Sequence, residues 1–358
     1  MAWTGICRRR ILWQVKQMLL AKKDEPIDNI NDLPLSVLFH ILESMDVKHA
    51  VQTCVLSKQW KELWKGMATF SMKSTRFKRV IDFNKFVSQF LSLRDSSISL
   101  SKVEVVLHRS SHVKKLNRII TYAALHHVQQ MSLHLCFYML DSKFPSFNLP
   151  CSSLVYLHLT HKHFCHPVLK FPNFLLLPAL EVLHLENLCF SASYSDYAEP
   201  FSCYNSLQTL ILKDCSLYKF DTEELLISNY NLSSLSLHHL NRTPYKFFLS
   251  TPILSFLTVT GQSYLCNLSV EHSKVGSWLK QFANVKELTL PDAAVGFILE
   301  VLSKHNLVET QIACFPKLES LKLIKDMHSV TSDEAVDTMV KYIHKNCPLA
   351  RVDFINEK

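Results

Sequence analysis

The chain has 358 residues, of which 48% are hydrophobic and 20% charged. Its length is enough for two or three domains and its composition is that of folded globular proteins, which excludes a disordered chain and a single small domain. The formal net charge is +8, but residues 1–23 contain six Lys and Arg residues and no acidic residue, so the remainder is nearly neutral. We therefore expect no binding to nucleic acid.

Residues 1–26 form a basic segment that we interpret as a flexible arm. An organelle-targeting helix and a nuclear import signal are the alternatives. The 11 cysteines include no C-x-x-C pair, which favours buried thiols in a reducing compartment, and we expect a cytoplasmic or nuclear location. No segment approaches the ~20 apolar residues of a membrane span, so no membrane partner is expected.

Residues 27–70 predict three short helices. Asp32 is the predicted N-cap of the first helix, Asp46 of the second and Ser57 of the third, which would end at Gly66. The apolar stripe of the first helix comprises Val37, Leu38, Ile41, Leu42 and Met45. Units of ~40 residues rarely bury such a stripe alone. No disulfide or metal pattern accompanies it, so we expect a partner protein to complete the core.

Residues 71–100 predict a linker with one helix, because apolar side chains recur at helical spacing from Val80 to Leu91. We expect this helix to cover the open end of the repeats that follow. Residues 326–358 predict a second cap, made of a helix that Ser332 caps and a last strand with the sequence RVDFI.

Residues 101–325 contain about nine copies of an L-x-x-L-x-L motif. Their last anchors are Leu107, Leu133, Leu159, Leu185, Leu212, Leu237, Val259, Leu290 and Leu323. Most of the intervals between them fall within the ~20–29 residues of leucine-rich repeats. The sequence therefore predicts an α/β fold in which a three-helix domain precedes a leucine-rich-repeat solenoid, a horseshoe of parallel strands with helical end caps.

The residues between the anchors are predicted to line the inner, concave face of this solenoid. Those chosen as candidate substrate-binding residues are Tyr156, His158, His184, Glu186, Lys213, His238 and Phe256. Their mixture of aromatic, imidazole and both charged types favours recognition of a protein or peptide.

Histidines raise the question of a metal site. The segment HKHFCH at residues 161–166 contains several ligand types, and His158 and His184 occupy the same column in adjacent repeats. With 18 histidines in the chain, we interpret them as polar surface residues and expect neither metal nor cofactor. The chain has five glycines and no phosphate-binding loop or nucleophile elbow, so we expect no enzymatic activity and no catalytic residue.

The segment of three predicted helices at residues 27–70 resembles a plant F-box. It contains Asp32-Leu33-Pro34, then His40-Ile41-Leu42, then Val55-Leu56-Ser57-Lys58-Gln59-Trp60. The family pattern usually has Arg at the position of Gln59. Together with the repeats and the C-terminal segment CPLARVDFI, the chain is similar to the plant F-box/leucine-rich-repeat family, in particular its FBD-containing branch.

This resemblance implies a substrate receptor of a Skp–cullin–F-box ubiquitin ligase. The F-box would dock on a Skp-type adaptor, which joins cullin and a RING subunit, and the repeats would hold an unknown target protein. The residues that it assigns to adaptor contact or direct support are Leu33, Pro34, Val37, Leu38, Ile41, Leu42, Val51, Val55 and Trp60. For each of them, internal packing is the alternative. Two other functions remain open: a receptor for a small, hormone-like molecule and an adaptor-bound scaffold without ligase activity.

Overall fold

The computed structural model describes residues 33–137, 151–162, 169–172, 175–192, 197–217, 224–238, 246–260, 283–292, 294–296, 298–299, 315–325 and 332–356. They belong to two compact units. Among the described residues, the first unit contains 33–137 and 151–154 and the second contains the rest.

The first unit begins with the three predicted helices: α1 (Leu35–Glu43), α2 (Val47–Gln52) and α3 (Trp60–Leu63). Short 3₁₀ turns extend the last two, at Thr53–Val55 and Trp64–Gly66. Asp46 caps α2 as predicted, because its side chain accepts a hydrogen bond from the backbone of Lys48. The other two predicted caps are wrong: Pro34 occupies the N-cap position of α1 and Gln59 that of α3, neither with a side-chain bond.

Three parallel strands follow the helices. They are β1 (Thr69–Lys73), β2 (Lys102–Leu107) and β3 (Gln130–Leu135), and they pair in that order. Helix α4 (Val80–Leu93) connects β1 to β2, and α5 (Val113–Leu125) connects β2 to β3. The predicted helix is confirmed, but its predicted role as an end cap is wrong, since it is the crossover between two adjacent parallel strands.

Strand β1 is one of the elements that the sequence did not predict. It crosses the predicted domain boundary between residues 70 and 71. In its short segment TFSMK, polar and apolar residues alternate, and Phe70 and Met72 are fully buried. The segment lacks the leucine motif. The pairing also places Val105, not the predicted anchor Leu107, opposite Leu133, so the first repeat is two residues longer than predicted.

The core of the first unit contradicts the expectation that a partner must complete it. Leu38 and Leu42 of α1 are fully buried within this chain. Both α1 and α2 contact β1. The rings of Phe70 and Trp64 lie 5.2 and 5.8 Å from the ring of Phe90 on α4. The strand and helix that follow the three-helix segment therefore supply the apolar surface that it lacks.

The second unit contains eight parallel strands in one sheet. In the order in which they pair, these are β4 (Tyr156–His161), β5 (Val182–Glu186), β8 (Thr209–Lys213), β11 (Ser234–His238), β13 (Phe256–Thr260), β14 (Glu287–Pro291), β15 (Ser320–Lys325) and β16 (Arg351–Asn356). Shorter strands form two further sheets. They are β6 (Cys189–Phe190) with β9 (Ser216–Leu217), and β7 (Tyr197–Ala198) with β10 (Glu224–Ser228) and β12 (Lys246–Ser250).

The leucine anchors form two buried columns across this sheet. In register, Leu157, Leu183 and Leu210 follow one another, as do Leu159, Leu185 and Leu212, and all six are at most 1% exposed. Residues between the anchors are half-buried on the opposite face. The predicted α/β arrangement of parallel strands is confirmed. Its physical cause is the two-residue alternation, which sends the anchors to one side of the sheet.

The C-terminal elements match the prediction. Helix α6 (Asp333–Asn346) begins after Ser332, whose side chain accepts a hydrogen bond from the backbone of Ala335, and β16 pairs with β15. Residues 294–296 and 298–299 are also helical. Within the described part of the chain, no helix combines the length and apolar character needed to cross a membrane.

Candidate functional site

Two carboxylates attach the helical segment to β1. Glu43 Oε1 accepts hydrogen bonds from the backbone N–H groups of Ala68 and Thr69, both at 3.1 Å. Asp46 Oδ1 accepts from Lys48 N at 3.0 Å and Oδ2 from Lys73 N at 3.0 Å. One side chain thus caps α2 and holds the end of β1, which fixes the angle between helix and strand.

The pKa of Asp46 is raised above its ordinary value. Burial is the dominant cause, and the hydrogen bonds from the backbone of Lys48 and Lys73 oppose it without cancelling it. The ionised carboxylate therefore carries a desolvation cost, which its two backbone N–H donors partly offset.

The candidate adaptor-binding residues divide into two groups by exposure. Those buried within the chain are Leu33, Leu38, Ile41, Leu42 and Trp60. Those that remain half-buried or exposed are Pro34, Val37, Val51 and Val55. Direct contact with another protein requires accessible surface, so the first group can act only by supporting the shape of the three-helix segment.

Leu35 is an accessible apolar residue that the sequence reasoning did not select. Its side chain is 56% exposed, and Val55 is 51% exposed. Leu35 is the first residue of α1 and precedes Leu38 by three residues and Leu42 by seven, so helical spacing places it at the exposed end of the same apolar face. This spacing was the available signal.

The candidate substrate-binding residues occupy three rows across the second unit's sheet. Tyr156 and Phe256 lie in the first row, four strands apart, which corresponds to ~19 Å. His158 pairs in register with His184 in the second row. Glu186, Lys213 and His238 follow one another in the third row.

The structure brings four of these residues into one cluster. The rings of His158 and His184 stack, with centroids 4.0 Å apart and an interplanar angle of 5°. Lys213 Nζ lies 3.2 Å from Glu186 Oε1. The hydroxyl of Thr160 lies 3.0 Å from Nε2 of His158 and donates to Oε2 of Glu186 at 3.3 Å. The other three candidates lie outside this cluster. Tyr156 and Phe256 are too far apart to join one small site. His238 Nδ1 instead contacts the hydroxyl of Thr260 at 2.9 Å.

The pKa of Glu186 is lowered although burial acts to raise it. The hydrogen bond and charge of Lys213 and the hydrogen bond from Thr160 together outweigh the burial. The carboxylate is therefore ionised at neutral pH and paired with Lys213.

Of the histidine-rich segment at residues 161–166, the structure describes only the first two residues. His161 is fully buried, and residues 163–168 lie outside the described residues.

Parts of the chain are similar in sequence to known proteins. Residues 30–72 match the F-box domain family. An F-box/FBD/LRR-repeat protein of Arabidopsis thaliana is 28% identical over 176 residues, which cover 49% of this chain and 38% of that protein. A second protein so named from the same plant is 28% identical over 247 residues, covering 65% and 54%. An FBD-associated F-box protein is 25% identical over 237 residues, covering 64% and 50%.

The chain thus contains a segment that matches the F-box domain, and it is similar to plant F-box proteins named for FBD and LRR repeats. The matched region spans about half or less of these three relatives.

Proposed function

We propose that this chain is the substrate-recognition subunit of a Skp–cullin–F-box ubiquitin ligase. The F-box at residues 30–72 is the observation that carries the proposal. In this role the chain catalyses no bond chemistry and brings a target lysine close to activated ubiquitin, which raises the effective concentration of the two reactants. Such an assembly would act in the cytoplasm or the nucleus.

The adaptor contact is assigned to accessible apolar residues of the F-box: Pro34, Leu35, Val37, Val51 and Val55. Each leaves apolar surface in contact with water in the free chain, and covering it with an adaptor is favourable by about 25 cal/mol per Å². The buried residues Leu38, Leu42 and Trp60 keep these positions in place. Leu33 and Ile41, which are also almost fully buried, belong to this supporting group.

For the second unit, the finer assignment is a leucine-rich-repeat solenoid whose polar face binds the target protein. The parallel strands, the two buried leucine columns and the relatives named for LRR repeats support this assignment. The proposed domain limits are a basic arm at 1–26, the F-box at 27–70, a connecting segment at 71–100, repeats at 101–325 and an FBD-like C-terminal segment at 326–358, with β1 extending across the limit between 70 and 71.

The test is recovery of the ligase complex from plant extract with the tagged full-length chain. The intact chain should recover adaptor, cullin and RING subunit together, and the Leu35→Asp variant should lose all three. At least one protein should accumulate in cells that lack the chain and decline when it is restored. Failure to recover cullin, or recovery without any protein changing abundance, would contradict the ligase function; the second result would indicate a scaffold.

A further inference from the structure

The cluster on β4 and β5 contains three metal-ligand types at short range. We propose that His158, His184 and Glu186 bind one divalent transition-metal ion of the zinc type. One ligand atom of each residue lies within 4.8 Å of the other two. The strands hold this arrangement in place, because His158 and His184 are paired in register and Glu186 follows two residues later on the same face.

The donor set determines which ions fit. Two imidazole nitrogens and one carboxylate oxygen suit Zn²⁺, Co²⁺ or Ni²⁺, whereas Mg²⁺ and Ca²⁺ prefer oxygen ligands throughout. Bonds of ~2.0 Å in a tetrahedral site place ligand atoms ~3.3 Å apart. The ligand atoms lie up to 4.8 Å apart, so each side chain must move by about 1 Å. The two stacked imidazole rings must also turn, so that one nitrogen lone pair of each points at the same ion. All three residues are half-buried, so such rotations do not require repacking of the leucine core, and a fourth position is left for water.

Thr160 acts in the outer shell of this site. Thr160 is 1% exposed, and its hydroxyl contacts both His158 and Glu186. Contacts of this kind orient metal ligands, and their loss usually costs ~10–100-fold in affinity.

The ammonium group of Lys213 would compete with a metal ion for the carboxylate of Glu186. This ammonium group lies 3.2 Å from Glu186 Oε1, and the Lys213 side chain is 42% exposed, so the ammonium group can turn away into water when a cation binds. A metal ion must share Glu186 with this positive charge, and the two cations repel each other. Replacing Lys213 with an uncharged residue should therefore tighten metal binding, which a merely structural histidine pair would not predict.

The experiment is a zinc titration of the full-length chain by isothermal calorimetry after chelator treatment, with Co²⁺ absorption as a second readout of coordination. Other histidines and cysteines also bind zinc, so the comparison is between variants. His184→Gln should lose one zinc equivalent or bind it at least ~10–100-fold more weakly. Lys213→Met should bind about tenfold more tightly, from the repulsion of a +2 and a +1 charge ~5 Å apart in a water-like medium.

His238→Gln is the matched control, since His238 lies on the same face but outside the cluster, against Thr260. It should bind zinc like the intact chain. Circular dichroism verifies that each variant is folded. Identical isotherms for the intact chain and His184→Gln, equal losses in His184→Gln and His238→Gln, or no tightening in Lys213→Met would each overturn the proposal. These outcomes are independent of adaptor binding, so they do not bear on the proposed ligase function.

Discussion

Replacing Asp46 with Ala tests whether one carboxylate connects the F-box helices to the sheet. The change removes the N-cap of α2, a loss of ~0.5–2 kcal/mol. It also leaves the backbone N–H of Lys73 without its carboxylate acceptor, at ~1–3 kcal/mol. Relief of the carboxylate's desolvation, which is seen in its raised pKa, offsets part of this. We expect a net loss of about 2 kcal/mol in the local stability of β1.

Native-state hydrogen exchange of the segment Thr69–Lys73 measures this loss directly, without assuming that the two units unfold together. A loss of about 2 kcal/mol corresponds to exchange roughly 30-fold faster. Asp95→Ala is the control, because the carboxylate of Asp95 accepts hydrogen bonds from the backbone and hydroxyl of nearby Ser97 in an exposed turn and makes no hydrogen bond with β1 among the described residues. Exchange that changes less than about threefold in Asp46→Ala would refute the connection.

Three further predictions concern particular side chains. Trp60→Ala should destabilise the first unit by about 3–5 kcal/mol, measured by denaturant unfolding, because the side chain is fully buried; a folded Trp60→Ala variant that fails only in adaptor binding would contradict this. The pKa of Glu186 is lowered in the folded chain, so its stabilising contribution is present above the unfolded pKa and is lost as pH falls through the folded one; Glu186→Gln should flatten the acid limb of the stability–pH curve, and an unchanged limb would be the contrary result. Burial raises the pKa of Cys215 to about 12, so iodoacetamide should alkylate exposed Cys203 first and reach Cys215 only after unfolding, as peptide mass spectrometry would show; equal rates would contradict its burial.

The strands and helices with strong periodicity were predictable from sequence. The L-x-x-L-x-L anchors place two buried leucines on strands such as β5, β8 and β11, and this alternation determines which face each residue occupies. The helix at Val80–Leu93 and the helix after Ser332 follow from apolar spacing and a capping residue. These features depend on local sequence, so they needed no knowledge of long-range contacts.

Three features depended on distant contacts and were missed or misread. Strand β1 has only five residues, and its place in the sheet comes from pairing with β2 far along the chain. The burial of Leu38 and Leu42 within the chain follows from that strand and from α4. At the candidate site, the column shared by His158 and His184 was predictable, but their stacking and the approach of Glu186 depend on side-chain rotamers.

The most direct test of the central proposal is the affinity of the purified chain for a plant Skp-type adaptor, measured by calorimetry. The variant Leu35→Asp/Val55→Asp places two charges on surface assigned to the interface, and we expect it to bind at least about 100-fold more weakly while remaining folded. Leu93→Asp is the matched control, because Leu93 is equally apolar and 54% exposed but lies at the end of α4, outside the F-box. We expect the intact chain and Leu93→Asp to bind alike. Absence of binding by the intact chain, or equal binding by all three proteins, would contradict the assignment of the F-box as the adaptor-binding surface.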